Sequence, residues 1–231
     1  MKKTLILGLV ALFALMLGAA LTGGNSGGST SEAAEINPVI LVHGWNGSAS
    51  SMATLKSRFE ANGRQAFSLT LPGQNNVTNA SAIRTLVNNV KAQTGATQVD
   101  LVAHSMGGLS TRYYLKNLGG TSSVAQYVSL GSPHYGLALA CFLFTNSGGQ
   151  MCPWSSFLGA LNSGDDTPGS PLYTTIYSTS DGLVPTSSSR LDGGACFKQI
   201  SGVSHTNLTQ DAGVFALVLS GVDGTCTGVF Q

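Results

Sequence analysis

Val99-Asp100-Leu101-Val102-Ala103-His104-Ser105-Met106-Gly107-Gly108-Leu109 reads as an apolar strand that passes through a tight turn into a helix. The turn, Ala103-His104-Ser105-Met106-Gly107, sets small residues two before and two after a serine. The spacing has a steric origin. Where strand and helix backbones nearly touch, a large side chain at either flank clashes, and the serine is held in a strained conformation with its Oγ exposed. This is the layout of a G-x-S-x-G nucleophile elbow, with Ala103 carrying one methyl more than the strict pattern. A serine in an ordinary βα loop is the plain alternative, and the strand–turn–helix context speaks against it.

The flanking sequence alternates in the same way. Val39-Ile40-Leu41-Val42 is a continuous apolar run between Pro38 and Gly44, as expected of a strand buried on both faces. Met52, Leu55 and Phe59 follow at helical spacing, and Asn62-Gly63 supplies a stop. Residues 65–71 return to strand. Asn79 is the expected cap of a helix carrying Ile83, Leu86, Val87 and Val90. Strand is expected at 99–103, helix at 107–118 and strand at 124–130. The rhythm lapses over 131–171, where Phe142, Leu143, Phe144, Trp154 and Phe157 sit among Gly, Ser and Pro. Strands resume at 172–178 and 196–200, and a final helix is expected over 207–219. The pattern predicts an α/β fold, a mostly parallel sheet of about six strands with helices on both faces.

A serine hydroxyl needs a base, and the base needs a carboxylate to orient it. After an elbow of this kind the order along the chain is serine, acid, histidine. Of His43, His104, His134 and His205, only the last two follow Ser105. His205, in Gly202-Val203-Ser204-His205 just past the last strand, is the candidate base. His134 precedes any plausible acid, and His43 and His104 read as packing residues beside the serine. Asp181 follows the 172–178 strand and is the candidate acid, with Asp165 and Asp166 as competitors. Asp192 looks like a turn residue. An oxyanion formed at an attacked carbonyl needs two backbone N–H donors. Met106, following the serine, is one candidate. Trp45, in His43-Gly44-Trp45-Asn46-Gly47, is the other, and its ring also suits a cleft wall.

Composition narrows the class. Charged residues make up 9% of the 231 and the formal net charge is +1, while hydrophobic residues make up 42%. This excludes a disordered chain and a nucleic-acid binder built on a basic stripe. Lys2-Lys3 followed by an apolar stretch over 5–21 reads as a secretory signal, with cleavage expected after Ala20 or Ala33. Residues 22–34, rich in Gly, Ser and Thr, read as a tether. The expected organisation is therefore a signal and tether over 1–34 and one catalytic domain over 35–231. Cys141, Cys152, Cys196 and Cys226 form no C-x-x-C pair, and in an exported chain they are expected as disulfides, preferably 141–152 and 196–226.

Taken together, Asn37-Pro38-Val39, Val42-His43-Gly44, the elbow, Tyr113-Tyr114-Leu115-Lys116-Asn117-Leu118, Leu172-Tyr173-Thr174-Thr175-Ile176-Tyr177-Ser178, Ser189-Arg190-Leu191-Asp192-Gly193 and Gly202-Val203-Ser204-His205 resemble the secreted bacterial lipases and esterases of the α/β-hydrolase superfamily. The similarity is greatest to the small Bacillus-type lipases (lipase class 2), whose elbow also begins with alanine. The resemblance implies Ser105, Asp181 and His205 as a catalytic triad and Trp45 and Met106 as oxyanion donors. It implies a secreted monomer that needs no cofactor, takes a lipid or other ester substrate and touches a lipid interface transiently; the sequence holds no compact carboxylate cluster, so no metal is expected, and its charge balance offers no nucleic-acid partner. Triacylglycerol is the leading substrate class. A polyester or cutin-like polymer, a short-chain ester, or acyl transfer to an alcohol would use the same machinery. Residues 131–171 depart from that group. Gly131-Ser132-Pro133-His134-Tyr135-Gly136 resembles larger lipases and actinobacterial secreted esterases, and the insertion is expected either to wall the acyl cleft or to pack over the sheet edge.

Overall fold

Six short apolar segments pair side by side in the computed structural model, which describes residues 36–226. They are β1 (Val39–Val42), β2 (Ala66–Leu69), β3 (Val99–His104), β4 (Val124–Leu130), β5 (Leu172–Ser178) and β6 (Cys196–Ile200). All pairings are parallel, in the order β2-β1-β3-β4-β5-β6. The chain divides into two units after Ala34, and the second, Glu35–Gln231, contains everything described below. The expected signal and tether lie outside the described residues.

The alternation along each strand sends side chains to two separate cores. Ile40, Val42, Leu101 and Ala103 point to one face, where α2 (Asn76–Thr94) and α3 (Met106–Asn117) cover them with Ile83, Val87, Val90 and Leu115. Val39, Leu41, Val102 and Val128 point to the other. There α1 (Ala53–Ala61) brings Leu55 and Phe59, and α5 (Ala212–Val222) brings Val214 and Val218. All four residues of β1 are fully buried, and each such side chain contributes roughly 1.5–3 kcal/mol through burial. A third core joins α3 to the irregular segment before β5: Met106 and Leu109 pack with Ala140, Met151, Leu158 and Leu161, the last two from α4 (Ser156–Leu161). Disulfides link Cys141 to Cys152 and Cys196 to Cys226, the preferred pairing.

Two helix starts differ from the sequence expectation. The cap of α2 is Asn75, whose side chain accepts from the N–H groups of Val77 and Thr78. Asn79 lies inside the helix, fully buried, and its amide donates to the carbonyl of Gly73. The last helix starts at Ala212, because the Asp211 side chain caps it by accepting from Val214 N–H. The residues assigned to its beginning form a separate short 3-10 turn, His205–Thr209.

The strand order carries the functional consequence. From β1 the chain moves outward to β2, then returns to β3 on the other side and continues away. Adjacent β1 and β3 are therefore where the winding reverses, and a crevice opens there at the carboxyl ends of the strands, the usual ligand position in open α/β sheets.

Candidate active site

Val42 is in register with Ala103, so the residues that follow them, Gly44 and Ser105, leave the sheet side by side in that crevice. Ser105 has φ 54° and ψ −131°, one of two non-glycine residues with positive φ among the described residues. The turn is as crowded as the sequence spacing requires. A Cβ on Gly107 would lie 2.4 Å from the carbonyl oxygen of His43, and one on Gly44 would lie 2.7 Å from the Cβ of Ser105. No side chain larger than hydrogen fits at either position without moving backbone.

The structure brings Ser105, His205 and Asp181 together. Nδ1 of His205 lies 2.8 Å from Oδ2 of Asp181, and Nε2 lies 2.9 Å from Oγ of Ser105. A carboxylate oxygen only accepts, so Nδ1 carries the proton and Nε2 of the neutral ring is free to accept from the hydroxyl. Asp181 follows β5 and His205 follows β6, and the main chains are tied as well, His205 N–H donating to the Asp181 carbonyl at 2.9 Å. Burial pushes the Asp181 carboxyl up. Hydrogen bonds from His205, Val184 and Leu183 more than reverse this and hold it below the usual carboxylate range.

The other histidines hold the frame. His43 accepts the Leu71 N–H at Nε2 and donates from Nδ1 to the Gly44 carbonyl, which fixes the loop carrying Trp45. Its burial depresses its basicity. His104 is depressed to about 4 by burial and by the nearby His205. The neutral ring packs 4.7 Å from that of His205, and its Nε2 lies 3.0 Å from the His205 carbonyl oxygen, so it is the donor. His134 is fully buried against Ser129 and strongly depressed by that burial. The competing acids are engaged elsewhere. Asp166 accepts from Arg112 at 2.7 Å and from the Tyr135 hydroxyl at 2.8 Å, and Asp165 accepts from the Thr167 N–H. Asp192 is exposed, as expected of a turn residue.

Met106 is the first residue of α3, so its N–H has no intrahelical acceptor. Trp45 N–H has no acceptor among the described residues. Both flank Ser105, and an anion at the hydroxyl faces a helix N-terminus.

An apolar cavity of about 260 Å³ ends at Ser105. Six of its ten lining residues come from the irregular segment, Pro133, Leu137, Leu139, Ala140, Leu143 and Met151, and Trp45, Leu183 and Val184 complete the wall beside Ser105. The segment is therefore a cleft wall. Of these residues, the sequence pointed to Leu143 but not to Leu137, Leu139, Ala140 or Met151, and the apolar run 137–144 was the signal for the first three. A second, more polar hollow of about 470 Å³ lies on the other side of Ser105, lined by Asn46, Ser51, Thr206 and Gln210 among others. Among the described residues no group of His, Cys, Asp or Glu is arranged to hold a metal.

Solved structures share this architecture. The mature lipase BlEst2 of Bacillus licheniformis superimposes with a TM-score of 0.72 at 19% identity, covering 80% of this chain and 91% of that one. Lipase B of Aspergillus fumigatus gives 0.70 at 20% identity, over 81% and 52%. In sequence, triacylglycerol lipases of Pseudarthrobacter phenanthrenivorans and Burkholderia plantarii are 33% identical over 116 residues, 46% of this chain. The chain matches about a third of those relatives' length, 36% and 32%. The profile of the family described as lipase (class 2) matches residues 36–214. That span takes in the elbow, the carboxylate after β5 and the histidine after β6, and a chain matched through all three belongs to the class 2 lipase family.

Proposed function

We propose that this protein hydrolyses carboxylic esters through an acyl-enzyme on Ser105, with triacylglycerol as the leading substrate. The observation that carries the reading is the connected run of Ser105 Oγ, the His205 imidazole and the Asp181 carboxylate, at 2.9 and 2.8 Å. His205 Nε2 takes the hydroxyl proton as Oγ attacks the ester carbonyl. The N–H groups of Trp45 and Met106 receive the oxyanion. His205 then gives the proton to the departing alcohol, and later activates the water that releases the fatty acid. Asp181 stays ionised and stabilises the imidazolium. The apolar cavity suits the acyl chain and the polar hollow the alcohol. The chemistry draws on no cofactor.

The proposal includes export, a monomeric state and contact with a lipid interface. Two disulfides support an oxidising location. A p-nitrophenyl ester series of increasing chain length, run on wild type and Ser105→Ala, tests the reading. Turnover that depends on Ser105 is expected, with preference for acyl chains of about eight carbons or more. Activity that survives in Ser105→Ala refutes it. A second reading, cleavage of a polymeric ester, is favoured by the hollows on both sides of Ser105. Release of soluble acids from a polyester film would select it.

A further inference from the structure

Residues 142–151 form a closed loop. Cys141 and Cys152 bridge its ends, with their Cα atoms 4.6 Å apart. The neighbours of the two cysteines, Ala140 and Met151, both line the apolar cavity that ends at Ser105, and both are buried. Leu143, inside the loop, lines it too. Near the tip of the loop the Ser147 carbonyl accepts from the Trp45 indole at 2.8 Å. One covalent link therefore closes the element that walls the cavity and also holds the loop carrying the Trp45 N–H.

The other holds on this element are few and local. Residues 137–152 contain no Asp, Glu, Lys or Arg, so no ion pair fastens them. The 3-10 turns Thr145–Ser147 and Gly149–Met151 have three residues each, too short to persist without outside support. Phe142 and Phe144 are 89% and 85% exposed and anchor nothing. The inward holds sit at one arm, where Gln150 accepts from the Asn76 N–H at 2.6 Å and Met151 packs against Met106 and Leu109. Cross-linking a loop of about this length limits its opened forms and favours the closed one on the order of a hundredfold. Both cysteines are half-buried, within reach of a dissolved thiol or disulfide. The second bridge is placed differently. Cys196 opens β6, at the end of that strand away from His205.

We propose that the Cys141–Cys152 bridge is a redox switch on the active site, which stays incomplete in the dithiol chain and is completed by oxidation; the proposal rests on the ester-hydrolase reading above. The oxidant is a second disulfide, of a small thiol or of an oxidoreductase. One cysteine, as thiolate, attacks it and releases one thiol. The other cysteine then displaces the mixed disulfide and releases the second thiol. The two protein thiols lose two electrons and two protons in all, and the oxidant carries them away as two thiols. With the bridge open, Leu143 and Met151 no longer hold one wall, and Ser147 no longer holds the Trp45 indole. Cavity and oxyanion loop are lost together.

The experiment uses the full chain and dissolved p-nitrophenyl butyrate. Cys141→Ser/Cys152→Ser is expected to lower kcat about tenfold to a hundredfold with far-UV circular dichroism unchanged. Cys196→Ser/Cys226→Ser is expected to stay within about twofold of wild type. In that second pair dithiothreitol is expected to lower kcat by the same factor, and oxidised glutathione to restore it. In wild type, alkylation and mass spectrometry assign which bridge is open at each level of activity, so the comparison does not depend on either pair folding. The tether adds a sharper readout. In Trp45→Phe the indole bond to Ser147 is already gone, so removing the Cys141–Cys152 bridge is expected to cost less than about twofold more in kcat. Full kcat with this bridge open, or the same loss in the wild-type and Trp45→Phe backgrounds, overturns the proposal. Failure of the hydrolase reading looks different, since the oxidised chain would then show no turnover dependent on Ser105.

Discussion

The indole Nε1–H of Trp45 donates to the carbonyl oxygen of Ser147 at 2.8 Å. The loop carrying one candidate oxyanion donor is thereby fastened to the segment that walls the apolar cavity. A Cβ on the neighbouring Gly148 would approach the same indole nitrogen to 2.8 Å, so the ring sits directly on that backbone. Trp45→Phe keeps an aromatic wall and removes the tether. On a short, dissolved ester kcat is expected to fall about tenfold to a hundredfold with KM little changed, because small displacements of an oxyanion donor act on the transition state. A change confined to KM would show that the ring acts only as a wall.

Asp181→Asn leaves the side-chain volume intact and removes the charge that orients His205. Turnover is expected to fall by about 10⁴. The same variant reports on acid stability. A carboxyl held below its unfolded value stabilises the fold above that value and loses the contribution as pH falls through its folded one. The gap between wild type and variant in urea midpoint should therefore be present at neutral pH and shrink below about pH 4. A gap independent of pH would contradict this account of Asp181.

His104 grips the main chain of His205 rather than the reacting atoms. His104→Phe keeps the ring packing and loses the donor, and a fall in kcat of about tenfold to a hundredfold is expected. His104→Gln offers an amide donor and should recover part of it. Equal activity in the two variants would mean that the hydrogen bond does not position the base.

Asp100 lies at the opposite end of the sheet, 1% exposed. Burial pushes its carboxyl up to about 7, against the pull of the Asn37 amide and Arg64. The folded state thus binds the proton more tightly than the unfolded chain. The contribution of Asp100 to stability is fully present in acid, is lost as pH rises from about 4 to about 7, and then levels. Asp100→Asn removes the cost of ionisation, while Arg64 keeps its bond to Asp223. A gain on the order of 2 kcal/mol is expected in urea unfolding at about pH 8, and little gain at about pH 4. A gain of the same size at both values would sink the assignment.

Much of the architecture was legible because it depends on near neighbours. The runs 124–130, 172–178 and 196–200 are strands over those very residues, each carrying the β-branched and aromatic residues that fit a pleated surface. The elbow was legible for a steric reason, seen here in the space around Gly107. Helix starts were less so. Asn75, Asn76 and Asn79 offer the same chemistry, and which one caps depends on which can face the first free N–H groups. Asn79 is instead drawn inward to the Gly73 carbonyl.

The amino-acid sequence by itself determined the alternating strands and helices, the strained serine and the order of serine, acid and base, because backbone sterics and burial periodicity act over a few residues. Only the tertiary structure decided that Asp166 serves Arg112, and that residues 137–151 wall the cavity. It also decided that Asn76 holds Gln150 from 74 positions away. Such polar pairings follow no period, and they are selected only when folding removes water from both partners and leaves each the other's acceptor or donor.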